Sequence, residues 1–325
     1  MQEIWFGKRP VDLLRRILLL PLSGLYWIGW SVYLWLYRCG FKKAAHPHRP
    51  ILCIGNLTTG GSGKSPLVLH IAQVLLSMEE QVVIGCSGYG SPHSEKAALA
   101  PPGPLPAEVW GDEPAMIREA LPDVPLIVGR RRVLAAEICH REFPDAILLM
   151  DDGFQHLPLQ KDISILIDAP ETNHFVLPAG PNREPQSSLD RADLVLPGHF
   201  SMVYSPLEFI DQHHVSLPPP RRANLLCAIG SPATFVRGVA EAGIEVAEQR
   251  LLPDHDPLAA GNLLDQFGNG LPVVVTAKDW VKLRLRRDID LARVVIAVRS
   301  ACVEPSAEFR DWLKERLDGK STKRP

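Results

Sequence analysis

A glycine-rich turn between an apolar strand and a helix constrains this sequence more than any other feature. Residues 51–54 (ILCI) read as a buried strand, GGSGKS follows at 60–65, and an apolar helical stretch runs to residue 76. In this setting the glycines let backbone N–H groups point at phosphate oxygens, and the helix N-terminus adds partial positive charge. The segment therefore predicts a P-loop.

The P-loop prediction assigns specific roles to the residues of the turn. ATP is expected to contact Thr58, Thr59, Gly60, Gly61, Ser62, Gly63, Lys64 and Ser65. Lys64 reaches the β and γ phosphates in such loops, and the Ser65 hydroxyl binds Mg²⁺. The strict pattern G-x-x-x-x-G-K-[ST] has a glycine where this chain has Thr58, so the match is a variant. The simpler alternative is a flexible turn before a helix.

Two adjacent carboxylates provide a second nucleotide-binding signal. The apolar run AILLM at 146–150 leads directly into Asp151 and Asp152. This arrangement resembles a Walker B element, in which a carboxylate at a strand end holds the Mg²⁺ that bridges the phosphates. Successive side chains of a strand point to opposite faces, so the sequence leaves open which of the two meets the metal. An ordinary turn after a strand is the alternative.

The N-terminal part contains an apolar segment of membrane-spanning length. Residues 17–37 are 21 residues without a charge, and about 20 suffice to cross a hydrocarbon core. Its tryptophans and tyrosines favour the headgroup level, whereas its proline and glycines weaken a straight span. Basic residues flank both ends, so the positive-inside rule selects no orientation. The segment could span the membrane, lie in the interface or pack on the protein itself.

Composition narrows the classes of function. With 46% hydrophobic and 22% charged residues, the chain is globular, and 325 residues accommodate two domains. A formal net charge of −2 gives no overall basic field, so a nucleic-acid partner is disfavoured. The six cysteines occur singly without zinc-site spacing, which indicates reduced thiols in a cytosolic compartment. No feature predicts a protein partner.

Short apolar runs alternate with helical stretches after residue 46, which predicts an α/β fold with a parallel sheet. Ligands in such sheets bind at the carboxyl ends of the strands. The expected strands are 51–54, 81–84, 126–128, 147–150, 163–167 and 194–196, followed by 225–228, 273–276 and 294–298.

Three consecutive prolines at 218–220 mark the expected domain joint, because they cannot continue a helix or a central strand. The predicted organisation is a membrane-associated segment at 1–45, a P-loop domain at 46–217, a smaller α/β domain at 218–303 and a C-terminal helix at 304–325. This last helix is expected to end before Gly319 and to pack back on the P-loop domain.

The order and spacing of several short motifs resemble one family, the tetraacyldisaccharide 4′-kinases that make lipid IV-A during lipid A synthesis. The resemblance covers nearly the whole chain. Besides the apolar segment, the motifs are GNLTTGGSGKSP at 55–66, GYG at 88–90, GDEP at 111–114, DDGFQH at 151–156, PAGPNREP at 178–185, DH at 254–255 and TAKDWVKL at 276–283.

The resemblance implies a function. It implies ATP- and Mg²⁺-dependent transfer of the γ-phosphoryl group to the 4′-hydroxyl of tetraacyldisaccharide 1-phosphate. The enzyme would act on this lipid-linked substrate in contact with membrane lipid, at the cytoplasmic face of the bacterial inner membrane. Its fold would be a P-loop NTPase-like parallel sheet domain with an N-terminal membrane-associated helix and a second, smaller α/β domain.

The resemblance also assigns residues. It makes Asp112 the general base, with His255 from the second domain as its partner, and places Asp151 and Asp152 at the Mg²⁺ motif. Arg183 and Tyr89 become candidates for contacts to substrate or phosphate. Without the resemblance, Asp112 would read as a helix N-cap and His255 as a loop residue. The chain departs from the family pattern at Ser87, Ser91, Asn182, Asp256 and Ala277.

Two other functions remain open from the sequence. A membrane-tethered nucleotide switch or assembly ATPase would transfer phosphate only to water, although the N-K-x-D element of many GTPases is absent from TAKD at 276–279. A P-loop kinase of a soluble small molecule is the other alternative. The apolar N-terminal segment disfavours it, because that segment would hold the enzyme at a membrane.

Overall fold

Two β-sheets and the helices packed on them form the body of the chain. A computed structural model describes residues 2–48, 50–60, 63–168, 173–261 and 263–321. Its α-helices are α1 (Gln2–Phe6), α2 (Pro10–Arg38), α3 (Lys64–Ser77), α4 (Ala107–Trp110), α5 (Asp112–Ala120), α6 (Arg132–Glu142), α7 (Pro232–Glu241), α8 (Ala277–Leu283) and α9 (Ser306–Ser321).

The first sheet has seven strands and carries the predicted P-loop. They are β1 (Ile51–Asn56), β2 (Val82–Cys86), β3 (Ala98–Leu99), β4 (Leu126–Val128), β5 (Ile147–Asp151), β6 (Ile163–Ile167) and β7 (Leu194–Leu196). Their order is β3-β4-β2-β5-β1-β6-β7, and only β3 runs antiparallel to its neighbour. The carboxyl ends of the parallel strands therefore share one edge, called here the carboxyl edge.

Helices cover both faces of this sheet. Residues of α3, α5 and α9 are buried on one face, and residues of α6 are buried on the other. Parallel strands that are covered on both sides read as continuous apolar runs, which explains why six of the seven were predictable. The missed strand, β3, has two residues and lies at the end of the sheet.

A second sheet of six strands follows. After strand β8 (Ser201–Tyr204), its members are β9 (Glu208–Ile210), β10 (Ser216–Leu217), β11 (Arg222–Cys227), β12 (Glu245–Leu251), β13 (Val273–Thr276) and β14 (Val294–Val298), in the order β10-β9-β14-β13-β11-β12. The last strand, β15 (Ala301–Glu304), pairs antiparallel with β8.

The predicted domain boundary at residue 218 differs from this topology. Strands β9 and β10 precede that residue, and β9 pairs with β14 inside the second sheet. The prolines at 218–220 instead follow β10, which pairs only with β9 at the end of the sheet. Proline is tolerated at such an edge because no neighbouring strand needs its missing N–H. The division into functional units stays a proposal.

The C-terminal helix α9 returns to the first sheet. Phe309, Leu313 and Leu317 are buried in the same apolar cluster as α3 and α5. The helix continues to Ser321, so the prediction that it ends before Gly319 was wrong. A glycine in an exposed last turn weakens a helix by only about 1 kcal/mol, and the packing upstream outweighs this cost.

The apolar N-terminal segment lies within helix α2, which packs on the body through one face. Ser23 is buried on that face, and its hydroxyl donates to the Val176 carbonyl at 2.9 Å. The opposite face exposes large apolar side chains, including Leu18 and Leu25 at 68% and 66% exposure. By length and composition alone the helix could cross a membrane, and little of it is buried.

Candidate active site

The glycine-rich turn lies at the carboxyl edge of the first sheet, between β1 and α3. Gly63 has a φ of +81°, and a side chain there would collide with the Tyr204 hydroxyl. The turn therefore requires glycine at this position. Helix α3 begins at Lys64, whose ammonium donates to Asn56 Oδ1 at 3.0 Å.

The segment at 178–185 forms one wall of this turn. Thr58 and Asn182 form an isolated antiparallel β-bridge. The Thr59 N–H and hydroxyl both donate to the Pro181 carbonyl, at 2.9 and 3.2 Å. These contacts bring two motifs that are more than a hundred residues apart into one structure.

The other predicted nucleotide contacts are placed by the backbone. Gly60 has a φ of +113°, and Ser65 follows Lys64 in the first turn of α3. Gly61 and Ser62 lie outside the described residues. The role of all these residues in nucleotide binding stays a prediction.

Asn56, at the end of β1, connects the turn to the segment at 178–185. Its Nδ2 donates to Thr58 Oγ1 at 3.0 Å. Its Oδ1 accepts from Lys64 and also from Arg183, the latter at 2.6 Å. Sequence reasoning missed this residue. The available signal was a polar side chain at the end of an otherwise apolar buried strand.

Asp152 is held by two cations. Arg183 donates to both of its carboxylate oxygens, at 3.0 and 2.8 Å, and Lys64 Nζ lies 3.7 Å from Oδ1. Burial acts to raise the pKa of Asp152, but the Arg183 guanidinium and the Lys64 ammonium outweigh it and hold that pKa well below its usual range. A planar guanidinium forms such a paired contact with defined geometry.

Asp151 is in the opposite electrostatic situation. It is 2% exposed, and no donor among the described residues reaches its Oδ1. Burial, with Glu113 and Asp152 nearby, raises the pKa of Asp151 to about 7. Lys64 and Arg132 act to lower this pKa but do not outweigh the burial and the two acids.

Asp112 lies at the start of α5 and contacts residues of the second sheet. His255 Nδ1 is 3.1 Å from Asp112 Oδ2, and Lys282 Nζ is 3.1 Å from the same oxygen. The Tyr89 ring lies 5.1 Å from the His255 ring, between centroids. The structure thus brings together the predicted base Asp112, its predicted partner His255 and the predicted substrate contact Tyr89.

Lys282 was not predicted. Its side chain is only 4% exposed, and it also donates to the Asp256 carbonyl at 2.9 Å. Asp279, one turn earlier on α8, lies 3.8 Å away. A lysine on the apolar side of a short helix, three residues after an acid, was the signal that could have identified it.

The two clusters share the carboxyl edge. Glu113, next to Asp112, is close enough to raise the pKa of Asp151. Gly111, with a φ of +94°, packs so closely on the loop after β2 that an added Cβ would lie 3.0 Å from the Tyr89 carbonyl. The start of α5 is thus fixed beside the strand ends that carry the P-loop and the two aspartates.

Comparison with known proteins decides the family. The family model described as tetraacyldisaccharide-1-P 4′-kinase matches residues 15–318. The chain belongs to this family. Relatives called tetraacyldisaccharide 4′-kinase include one from Nitrobacter hamburgensis, 34% identical over 98% of both chains. Another from Shewanella woodyi is 33% identical over 82% of this chain and 81% of its own.

A solved structure shows the same fold. The crystal structure of LpxK from Aquifex aeolicus, described as an "apo" form in complex with ATP, superposes with a TM-score of 0.78. It covers 93% of this chain and 99% of its own at 24% sequence identity. The predicted resemblance and the predicted fold class are therefore confirmed. The assignment of individual site residues in this member of the tetraacyldisaccharide-1-P 4′-kinase family rests on its own geometry.

Three departures from the family pattern have local roles. Ser91 donates to a backbone carbonyl at 2.7 Å, Asn182 donates to another at 3.2 Å, and the Asp256 carboxylate accepts from a backbone N–H at 2.9 Å. Ala277 is the first residue of α8. Nothing in the structure explains the serine at position 87.

Proposed function

We propose that this chain is an ATP-dependent tetraacyldisaccharide 4′-kinase of lipid A biosynthesis. The proposed reaction transfers the γ-phosphoryl group of ATP to the 4′-hydroxyl of tetraacyldisaccharide 1-phosphate. Family membership supports the reaction class, because relatives that carry this name include one that aligns over 98% of both chains. The observation that carries the proposal is Asp112 with His255 and Lys282 on its Oδ2, at the edge that holds Lys64.

Asp112 is the proposed general base. A sugar hydroxyl is a poor nucleophile, and a carboxylate within hydrogen-bond reach accepts its proton as the phosphoryl group is transferred. The hydroxyl oxygen bonds to the γ-phosphorus, the bond from that phosphorus to the β–γ bridging oxygen breaks, and ADP leaves. His255 and Lys282 both contact Oδ2, which leaves Oδ1 of the carboxylate for the hydroxyl.

Lys64 and Arg183 are the proposed contacts for the transferred phosphate. Both converge on Asp152 and Asn56. Their charges are thus concentrated beside the turn, where phosphate oxygens are expected. Asp152 keeps the two cations in place by ion pairing.

The residues fit a magnesium ion. The unpaired, buried oxygen of Asp151 is a suitable ligand, and Ser65 in the first turn of α3 is the expected hydroxyl ligand. Asp152, already paired with Arg183, is the less available carboxylate. No group of three or more histidine, cysteine, aspartate or glutamate side chains that could hold a metal occurs in the described ranges. Bound magnesium neutralises charge on the β and γ phosphates.

We further propose that α2 attaches the enzyme to the membrane while lying along the protein rather than spanning the bilayer. Trp5, before the helix, donates to the Pro178 carbonyl at 2.9 Å. Within the helix, the Tyr26 hydroxyl donates to the Arg183 carbonyl at 2.7 Å. A helix held on its polar side, with its apolar face exposed, can insert into one leaflet. The substrate would then enter from the cytoplasmic leaflet of the inner membrane.

The reaction is tested with the purified full chain, ATP, Mg²⁺ and tetraacyldisaccharide 1-phosphate in detergent. Mass spectrometry should show a product one phosphate heavier. Asp112→Asn should lower kcat by on the order of 10²–10⁴ and leave ATP affinity unchanged. The matched control is Asp123→Asn, which alters an exposed carboxylate three residues after the end of α5. Release of ADP without phosphorylated lipid would instead support the nucleotide switch or ATPase.

The membrane arrangement is tested by labelling both ends of α2 in cells. Cys39 is exposed at the C-terminal end of the helix, and Lys8→Cys supplies a thiol before its start. A membrane-impermeant maleimide should label both positions in inverted vesicles and neither in spheroplasts. Labelling of one end only in each preparation would mean that the helix spans the bilayer.

A further inference from the structure

A cavity lies on the face of the first sheet opposite α3, because its lining residues Phe154 and Leu159 belong to the apolar cluster of that face. It has a volume of about 550 Å³ and opens beside residues 40–44, just after α2. Ser164, near the start of β6, forms part of its wall. Neither Lys64, the first residue of α3, nor Asp112 lines the cavity.

Cations line this cavity, and none of its described lining residues is acidic. Lys42 and Lys43 lie at its exposed rim, while Lys161 and Arg191 are partly buried further inside. Arg191 pairs with the buried Glu184 and lies over the Phe154 ring, 4.3 Å from its centroid. The remaining three cations have no such acidic partner in the wall.

Lys161 occupies an environment that an anion would improve. Within the described part of the chain, its ammonium donates to two carbonyls, those of His156 and Phe154, at 3.0 and 3.3 Å. Burial lowers the pKa of Lys161, and the neighbouring Arg191 lowers it further. An anion between these two side chains would offset both effects.

Exposed aromatic side chains stand beside the lysines at the rim of the cavity. Phe41 is 73% exposed, and its ring lies 5.5 Å from that of Trp35, which is also exposed. Lys42 Nζ lies 4.9 Å from the centroid of the Tyr33 ring. Exposed aromatic rings beside lysines are typical of segments at the membrane interface.

We infer that this cavity binds the phosphate headgroup of an anionic phospholipid from the leaflet on which α2 rests. The positive lining matches the phosphate, and the apolar rim matches the start of the acyl chains. The volume is in the range of small-molecule sites. The bound lipid is not the phosphoryl acceptor, because Asp112 does not line the cavity. The inference rests on the proposed membrane attachment of α2 and not on kinase activity.

The test measures lipid binding to the full chain in a neutral detergent, where no membrane surface potential acts. Native mass spectrometry follows titration with phosphatidylglycerol or phosphatidylcholine. We expect one phosphatidylglycerol per chain and markedly less phosphatidylcholine. The double variant Lys42→Gln/Lys43→Gln should bind phosphatidylglycerol at least about tenfold more weakly, the usual effect of losing a hydrogen bond to a charged group.

The matched control is Lys8→Gln/Arg9→Gln, which removes two exposed charges from the other end of α2. It should bind phosphatidylglycerol like the unchanged protein. Equal losses in the two double variants, or no loss in either, would overturn the inference. Displacement of the lipid by millimolar inorganic phosphate would also overturn it, because the cavity would then recognise a free anion. Co-sedimentation of the unchanged protein with vesicles separately tests the attachment of α2.

Discussion

The proposed nucleotide side and the proposed acceptor side of the site are built in different ways. The nucleotide side is built at the ends of β1 and β5, which are adjacent strands of one sheet. Asn56 ends β1, Lys64 begins the helix after β1, and Asp152 follows β5. On the acceptor side, Asp112 comes from the first sheet's domain, but His255 and Lys282 come from the second. The nucleotide side is therefore fixed mainly by the first sheet. The acceptor side depends on the relative position of the two sheets, because it needs residues from both.

This difference has a mechanistic consequence. The phosphate contacts remain in place if the second sheet moves, but the base loses both groups that orient it. Relative motion of domains is a common means of assembling a site only when substrate is present. We therefore expect nucleotide binding and phosphoryl transfer to respond differently to changes in the two halves.

The largest effect is expected from the nucleotide side. Lys64→Ala removes a cation that faces the phosphates, so both ATP binding and turnover should fall, with kcat/KM reduced by on the order of 10³. Isothermal titration with ATP, together with the lipid phosphorylation assay, measures the two effects. Unchanged ATP affinity in this variant would contradict the P-loop assignment.

A smaller and more selective effect is expected from the acceptor side. Lys282→Met leaves Asp112 without one of its two orienting contacts, and kcat should fall about 10- to 100-fold through misplacement of the base. The KM for ATP should stay the same, because the phosphate contacts are in the other half. Steady-state kinetics at varied ATP concentrations separates the two parameters.

Lys278→Met is the matched control for Lys282. Lys278 lies on the same helix but pairs with Asp254 at 3.1 Å. Its loss should reduce kcat much less. If both lysine variants lose activity equally, general disruption of α8 explains the result, and the orienting role of Lys282 is refuted.

A third prediction concerns stability. The pKa of Asp151 is raised to about 7 in the folded protein. The carboxyl group therefore loses its proton at a lower pH in the unfolded chain than in the folded one. The free energy of unfolding should fall as pH rises from about 4 to about 7. Asp151→Asn removes the cost of ionising this buried carboxyl group. Without Mg²⁺ and nucleotide it should stabilise the protein at pH 8 by about 1–3 kcal/mol, and by less at pH 5. Chemical denaturation at both pH values measures the difference.

Asp152→Asn should change stability in the opposite direction. Its ion pair with Arg183 is lost in the variant, so the folded state should be weakened at pH 8. Equal effects of the two asparagine substitutions would show that their environments are not as different as the structure indicates. Both variants should lose Mg²⁺-dependent turnover.

The smallest effect is expected where α2 meets the nucleotide side. Ser23 donates to the Val176 carbonyl and accepts from the Ala179 N–H, each at 2.9 Å. Ser23→Ala should destabilise the protein by about 1–2 kcal/mol, measured by thermal unfolding in detergent. Ser31→Ala on the same helix is the control. An unchanged midpoint for Ser23→Ala would indicate that α2 is not held by these bonds.

Sequence reasoning was most successful where strands are fully buried. Strands β4 and β6 are fully buried and were predicted with both ends correct, because a continuous apolar run bounded by turn residues is a clear strand signal. It failed for β9 and β10, short strands at the end of the second sheet. Short edge strands carry little signal, since their pattern depends on a neighbour that is distant in the chain.

The sequence alone determined the class of fold and predicted the P-loop, because a strand, a glycine turn and a helix are adjacent along the chain and act through local backbone geometry. Only the tertiary structure decided that Asp152 is neutralised by Arg183 while Asp151 keeps an unpaired oxygen. It also decided that Lys282 reaches Asp112 across 170 positions of sequence. Electrostatic environment and burial depend on residues that meet only after folding, so the sequence does not determine them locally.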